Sequence, residues 1–196
     1  MNLALFDFDN TITINDNYTE FLKFSVHPVR YMIGALALGP LIVGYKKGLV
    51  TGARVRTSVS RVAYSGQSLD KLNRLGCEYA SEVIPQKIRP DALERIEWHK
   101  HQGDTVVVVS ASLDAYLRPW CKEHGIDLIC SELETYFGRC TGGYVEGDCS
   151  GKTKSLLIQK RYSLASYQSI FAYGDSDEDK EMLELADKKF FKWNMI

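Results

Sequence analysis

Residues 106–109 are four consecutive valines, and they follow Thr105 without a polar break. A continuous β-branched run of this length predicts a strand that is buried on both faces, because a strand with one solvent face alternates apolar and polar residues. Strands of this kind belong to parallel sheets that helices cover on both sides. The chain is therefore expected to contain a parallel sheet enclosed by helices.

The pattern around the valine strand divides the chain into two parts. Residues 17–83 show helical periodicity with no convincing strand, whereas helices and strands alternate from Pro90 onward. We expect an α/β fold with a doubly wound, Rossmann-like parallel sheet as its core domain, formed by residues 1–14 and 85–196. An all-helical cap domain, residues 15–84, is inserted after the first strand. The elements expected in the second part are helices over 91–102, 112–124, 153–162 and from 179 to 187, strands over 105–109, 126–130, 169–173 and 189–193, and a β-hairpin over 133–147.

Two aspartates follow the first apolar run. Asp7 and Asp9 come directly after residues 3–6, which read Leu-Ala-Leu-Phe. In an extended strand the alternation of side chains places both carboxylates on one face, roughly 6.6 Å apart along the strand. Such a pair favours a bound divalent cation or a proton on one carboxylate. It suits phosphoryl transfer, with one carboxylate attacking phosphorus and the other protonating the leaving oxygen; the alternative is a loop with two solvated acids.

Three further segments supply polar groups where strands end or helices begin. Ser110 ends the valine strand, and we expect it either to bind a phosphoryl oxygen through its hydroxyl and the following amides or to be an ordinary helix N-cap. Residues 174–179 read Gly-Asp-Ser-Asp-Glu-Asp, whose hard oxygen ligands suit magnesium or calcium. Lys152 and Lys154 open a helix, and either could neutralise a bound phosphoryl group.

Composition limits the partners and the compartment. The formal net charge of −1 gives no electrostatic case for nucleic acid. The five cysteines include no Cys-x-x-Cys pair, which argues against a disulfide scaffold or a structural zinc site and favours the cytoplasm. The N-terminus has no basic region before its apolar stretch and does not resemble a signal peptide.

Residues 31–45 form the most apolar stretch, and they contain Pro40 and three glycines. At about 15 residues this stretch is shorter than a bilayer span requires, so we expect two helical pieces broken near Gly39 and Pro40. Burial inside the cap is the favoured interpretation, because glycines and proline suit tight helix packing. The alternative is an exposed apolar patch beside the cleft, which would mark a contact with a lipid or a membrane surface.

Four motifs occur in the order found in the haloacid dehalogenase-like phosphatases. They are the Asp-Phe-Asp-Asn-Thr sequence at 7–11, Ser110 after the valine strand, the Lys152 and Lys154 pair, and the Gly-Asp-Ser-x-x-Asp sequence at 174–179. The arrangement resembles the branch that includes phosphoserine phosphatase, whose members carry a small helical cap between the first and second motifs. The resemblance covers nearly the whole chain.

The resemblance implies a role for each matching residue. Asp7 would be the nucleophile that becomes an aspartyl phosphate, and Asp9 the general acid and then the general base. Magnesium would be held by the Asp7 carboxylate, the Asp9 main-chain carbonyl and Asp175, with Asp179 supporting them.

The same resemblance assigns the phosphoryl oxygens to Ser110, Ala111 and a lysine. Lys154 is preferred to Lys152, because apolar residues follow it at the third and fourth places, as in the family.

The resemblance leaves the substrate open. A small phosphorylated metabolite such as phosphoserine is the first candidate, with Asp16 and Arg61 near the cap positions that hold the amino-acid part. However, Ala111 and Ser112 stand where phosphoserine phosphatases carry two glycines, and Glu178 replaces a neutral polar residue. The apolar stretch 31–45 resembles instead the cap of relatives that act on lipid phosphates such as phosphatidylglycerophosphate.

Two other functions remain as alternatives. The first is a phospho-accepting regulatory domain, which also pairs an acid cluster with a lysine; Asp9 and the large insert favour the enzyme. The second is a carbon–halogen hydrolase of the same superfamily, which would need neither an acid at position 9 nor the cluster at 175–179.

Overall fold

The computed structural model describes residues 1–196 and contains eight strands and eight α-helices. The strands are β1 (Leu3–Phe6), β2 (Thr105–Leu113), β3 (Asp127–Ser131), β4 (Leu133–Tyr136), β5 (Arg139–Tyr144), β6 (Ile170–Gly174), β7 (Lys188–Phe191) and β8 (Asn194–Met195). The helices are α1 (Asn17–Ser25), α2 (Pro28–Lys46), α3 (Gly52–Tyr64), α4 (Leu69–Glu82), α5 (Pro90–His101), α6 (Asp114–His124), α7 (Lys152–Arg161) and α8 (Lys180–Glu184).

Six strands form the central sheet in the order β3-β2-β1-β6-β7-β8. The first five strands in this order, β3, β2, β1, β6 and β7, run parallel. Only β8 pairs antiparallel, with β7. The order reverses beside β1, because the chain first builds the sheet outward to β3 and then returns to the other side of β1. The predicted doubly wound parallel sheet is confirmed.

The valine strand is buried on both faces. Val106 and Val108 lie in a core of 29 buried residues, whereas Val107 and Val109 lie in a second core of 12. Helices α1, α4, α5 and α6 contribute to the larger core, and α7 and α8 to the smaller one. Consecutive valines therefore serve opposite layers of the molecule, as the unbroken apolar run predicts.

Helices α1 to α4, called the helical insertion below, fill the chain between β1 and α5. The chain leaves the core and returns to it at adjacent points: the amide of Ile14 donates to the carbonyl of Lys87, and the amide of Arg89 to the carbonyl of Ile12, each at 2.9 Å. The assignment of residues 15–84 to a separate cap domain remains a prediction.

The hairpin of β4 and β5 packs against the helical insertion. Its turn at Phe137 and Gly138 has positive φ at both residues, as in a type I′ turn. Gly142 approaches α3 so closely that a Cβ there would lie 2.6 Å from Cα of Arg61. The hairpin was expected from its turn residues, but its contact with α3 was not.

Helix α2 differs from the prediction in two respects. It is one continuous helix through Pro40, and only Gly34 of its residues is buried. Pro40 removes the hydrogen bond to the carbonyl of Leu36, but Leu36 is 80% exposed, so water can satisfy that carbonyl, and Gly39 has no Cβ to clash with the proline ring. The predicted break at Gly39 and Pro40, and the predicted burial of 31–45, are therefore wrong. By length and composition alone α2 could cross a membrane, a criterion that core helices and signal sequences also meet.

Candidate active site

The site lies at the carboxyl ends of β1 and β6, which are neighbours in the sheet. Phe6 pairs in register with Tyr173, and the amide of Asp7 donates to the carbonyl of Tyr173 at 2.9 Å. The residues that follow the two strands, Asp7 and Asp175, therefore emerge side by side. In open α/β sheets this edge, at the point where the strand order reverses, is where ligands bind.

A tight turn, rather than a strand, positions Asp9. The strand ends at Phe6, and residues 8–12 form one wide helical turn in which Asn10 has a φ of 59°. The two aspartates are thus not on one face of a strand, as the alternation predicted. Asn10 tolerates the left-handed conformation better than most residues do, and this explains how the chain reverses so soon after β1.

A buried lysine lies between two of the predicted acids. The ammonium of Lys154, near the start of α7, is 2.6 Å from Oδ1 of Asp7 and 2.5 Å from Oδ1 of Asp179. Burial alone would lower the pKa of Lys154, but the two carboxylates hold it above its ordinary value. Lys152 is exposed, so the structure brings only Lys154 to the acids.

Asp179 also shapes the acidic loop. Its Oδ2 accepts hydrogen bonds from the amides of Asp175 and Ser176 at 3.1 Å and from the hydroxyl of Ser176 at 3.0 Å. A Cβ at position 174 would lie 2.6 Å from Cβ of Asp179, so only glycine fits there. The loop is therefore wrapped around one carboxylate, which fixes the direction of Asp175.

The donor set fits a divalent cation. Carboxylate oxygens of Asp7, Asp175 and Asp179 lie within 4.8 Å of one another. Burial and then repulsion from Asp179 raise the pKa of Asp7 and of Asp175. The three carboxylates outnumber the ammonium of Lys154 by two charges, which is the charge that one hard, oxygen-preferring divalent cation supplies.

Asp9 is held separately from this cluster. Its Oδ1 accepts from the amide and from Nδ2 of Asn17, both at 2.9 Å, and its Oδ2 accepts from the hydroxyl of Ser112. Burial raises the pKa of Asp9 to about 6, against these hydrogen bonds, which lower it. Both protonation states are thus accessible near neutral pH, as a general acid and base requires.

Asn17 and Ser112 were not among the predicted site residues. Asn17 is fully buried, and its Oδ1 accepts from the hydroxyl of Tyr79 at 3.1 Å. The sequence offers no local signal for Asn17, because its burial and its contacts with Asp9 and Tyr79 arise only in the folded chain. For Ser112 the sequence shows only a departure from the two glycines of phosphoserine phosphatases.

Ser110 is not a helix N-cap. Strand β2 continues to Leu113 with a shift of register against β3 after Ser110, and α6 begins only at Asp114. The hydroxyl of Ser110 instead accepts from the amide of Ser112 at 3.1 Å. Ser110 and Ala111 line the cleft beside Asp7 and Asp9, where the prediction placed the phosphoryl group.

Of the two predicted substrate residues, only Asp16 lines the cleft. Asp16 caps α1, accepting from the amide of Thr19 at 3.1 Å, and it lines the cleft. Arg61 is exposed on α3 and is not among the lining residues.

Arg56, which was not among the predicted site residues, lines the cleft, whereas Arg61 does not. It binds Asp148 at 2.8 Å and 2.9 Å and Glu178 at 2.9 Å and 3.0 Å, and so connects the helical insertion to the core.

A cavity of about 730 Å³ extends from the carboxylates into the helical insertion. Its inner end is polar, and its outer part is lined mainly by apolar side chains of α2 and α3. The apolar lining residues from these helices are Tyr31, Gly34, Ala35, Leu38, Ile42, Tyr45, Val55, Val59, Val62 and Ala63.

Comparisons with known proteins bear on the family and the fold. The family model described as haloacid dehalogenase-like hydrolase matches residues 4–184. The chain is 29% identical over 196 residues to Protein CicA of Caulobacter vibrioides, covering 97% of this chain and 85% of that protein. It is 27% identical over 201 residues to a histidinol-phosphatase of Neisseria meningitidis serogroup C, covering 95% and 88%. A phosphoserine phosphatase solved as a phospho-aspartyl intermediate analogue has a similar fold, with a TM-score of 0.67, 20% identity and coverage of 97% and 85%.

Proposed function

Because the chain belongs to the haloacid dehalogenase-like hydrolase family, we propose that it is a magnesium-dependent phosphomonoester hydrolase acting through an aspartyl-phosphate intermediate. The observation that carries the proposal is the cluster of Asp7, Asp175 and Asp179 around the buried ammonium of Lys154. Magnesium held there by Asp7, the main-chain carbonyl of Asp9, Asp175 and Asp179 would neutralise charge on the phosphoryl group.

Asp7 is the nucleophile in this proposal. Lys154 holds Oδ1, and no side chain or amide donates to Oδ2, which is therefore the candidate attacking atom. Its attack forms the bond from oxygen to phosphorus while the ester bond breaks. Ser110, Ala111 and Lys154 bind the phosphoryl oxygens.

Asp9 moves the proton in both half-reactions. In its acid form it protonates the leaving oxygen, and as a carboxylate it then takes a proton from the water that attacks the phosphorus of the intermediate. Water releases inorganic phosphate and restores the Asp7 carboxylate. A pKa of about 6, produced by burial, supports this double role.

A small phosphorylated metabolite such as phosphoserine is the first substrate candidate, and Asp16 is the residue in the cleft that could bind its ammonium group. The apolar outer lining of the cavity favours a second candidate, a phosphate ester whose organic part carries an apolar chain. These candidates differ in what the α2 and α3 side of the cleft would contact.

Purified protein should be assayed with Mg²⁺ on phosphoserine, histidinol phosphate and a lysophosphatidate, with Asp7→Asn as the control. The expected result is release of phosphate that requires both Asp7 and Mg²⁺. Accumulation of a stable phospho-Asp7 without turnover would favour the regulatory domain, and halide release from haloacids would favour the carbon–halogen hydrolase. A cytoplasmic location is also part of the proposal, which the five free cysteines support.

A further inference from the structure

Helix α2 exposes a continuous apolar surface, called the α2 stripe here. Among its members, Leu36 is 80% exposed, Met32 63% and Ile33 61%. The spacing of three and four residues places all members on one helical face. The members of the α2 stripe are Val29, Met32, Ile33, Leu36, Pro40 and Val43.

The opposite face of α2 is fixed to α3. A Cβ at Gly34 would lie 2.9 Å from Val62 of α3, and one at Gly44 would lie 2.9 Å from Val50 in the loop before α3, so the backbone of α2 approaches both side chains closely. Arg30 donates to the carbonyls of Val62 at 2.7 Å and Ser65 at 2.6 Å. The α2 stripe is therefore presented by a helix packed side-on against α3.

The charges in the segment of the chain that carries the α2 stripe have one sign. Residues 21–69 contain seven of the 24 Lys and Arg residues and none of the 25 Asp and Glu residues. Only Arg56 among the seven forms an ion pair. The balanced total charge thus conceals a strong segregation of basic residues along the chain. The seven basic residues are Lys23, Arg30, Lys46, Lys47, Arg54, Arg56 and Arg61.

We propose that the α2 stripe and its basic flanks dock the protein on the surface of an anionic lipid bilayer. Apolar side chains would enter the boundary between headgroups and acyl chains, while unpaired cations meet the anionic headgroups. A second copy of the chain is the less suitable occupant, because it would bring another cationic surface with no acids to pair with it. The proposal does not rest on phosphatase activity.

The test is sedimentation with vesicles of phosphatidylcholine alone and of phosphatidylcholine with an equal part of phosphatidylglycerol. The expected result is binding to the anionic vesicles only, reversed at about 0.5 M NaCl, where charges are screened within a few ångström. Binding to both vesicle types alike, or binding that resists salt, would overturn the proposal.

Two variants test whether the α2 stripe and its basic flanks are responsible for vesicle binding. Leu36→Glu should lower the partition coefficient at least tenfold, because it places a carboxylate in the apolar stripe and near the anionic surface. Lys23→Ala with Lys47→Ala should lower it about 25-fold, since each cation near such a surface contributes roughly fivefold. Leu156→Glu is the matched control, because Leu156 is 64% exposed on α7, outside the α2 stripe, and its binding should not change.

Each variant is also checked for folding by circular dichroism, and Leu36→Glu for unchanged hydrolysis of p-nitrophenyl phosphate, since Leu36 does not line the cleft. Equal vesicle binding by native protein and Leu36→Glu would refute the role of the α2 stripe. A dimer in solution that Leu36→Glu converts to monomer would assign the stripe to a second copy instead. Vesicle binding without any phosphatase activity would leave the docking intact and refute only the proposed function.

Discussion

Replacing Lys154 by methionine tests the centre of the site, because it removes the one cation between two buried carboxylates. At an effective dielectric constant of about 20, an ion pair at 2.6 Å has a gross attraction of roughly 6 kcal/mol, which desolvation of both ions largely offsets. Removing one partner from such a network costs about 3–5 kcal/mol, since the remaining charges stay buried. We expect Lys154→Met to lower the melting temperature by about 6–20 °C for a chain of this size.

The loss of thermal stability in Lys154→Met should depend on pH with a defined sign. Without the ammonium, the pKa values of Asp7 and Asp179 rise above those in the unfolded chain. A group with a raised folded pKa stabilises the protein at low pH and loses this contribution as the pH rises. The melting temperatures of variant and native protein should therefore converge toward acid, and Mg²⁺ should stabilise the variant more than the native protein.

The matched control is Lys152→Met, two residues earlier in α7, where the side chain is exposed and unpaired. It should change the free energy of unfolding by less than about 0.5 kcal/mol. The assay is thermal unfolding in EDTA between pH 5 and 8, with phosphatase turnover measured in parallel. Turnover of Lys154→Met should fall by about 10²–10³-fold. Equal melting temperatures for the two variants would refute the reasoning.

Four further predictions follow from the geometry. Asp7→Asn should lose turnover by several powers of ten while its circular dichroism spectrum stays native, and near-normal activity would exclude Asp7 as nucleophile. Asp175→Ala should weaken the activation of turnover by Mg²⁺. Ca²⁺ should inhibit the native protein, because the longer bonds and higher coordination number of Ca²⁺ change how Asp7 is held. Full turnover in excess chelator would contradict the role of the metal. Arg56→Met should destabilise the fold by about 3 kcal/mol or more in urea unfolding, because it leaves Asp148 buried without its partner; a loss below about 0.5 kcal/mol would contradict it. Burial lowers the pKa of His99 below 6.5, so part of the free energy of unfolding should be lost as the pH falls below that value. His99→Gln should flatten this pH dependence in urea titrations. Parallel pH profiles for the variant and the native protein would contradict the prediction.

The fold could be predicted from local patterns because those patterns report burial directly. The valine run required two covered faces, and the sheet has a core on each side of it. The same reasoning gave a wrong prediction of burial for α2, since periodicity and composition do not show whether an apolar face has a partner. In this chain Gly34 packs one face of α2 on α3, while the other face stays exposed.

The candidate site was predictable where a side chain follows a strand directly, as with Asp7 and Asp175. It was not predictable where a role depends on contacts across the fold. Asn17 binds Asp9 from the start of α1, and Arg56 connects α3 to Glu178, 122 positions away in sequence. Neither Asn17 nor Arg56 has a local sequence signature, because each of them contacts a residue outside its own helix.

The two hydrogen bonds that join residues 12–14 to residues 87–89 make the helical insertion a closed loop on the core. Since the ends already meet, its length adds little to the entropy that the core must overcome on folding, because loop closure depends only on the logarithm of length. Its loops can therefore be lengthened at little entropic cost, but its helices are tied to the core, because α1 and α4 share the larger core with α5 and α6 and Arg56 joins α3 to Asp148 and Glu178. Asn17 adds a requirement of a different kind, since any insertion grafted onto this core must still supply the amide that orients Asp9. A chimaera meant to change the substrate while keeping the chemistry must accordingly retain Asn17 together with the residues of α1 and α4 that lie in the shared core.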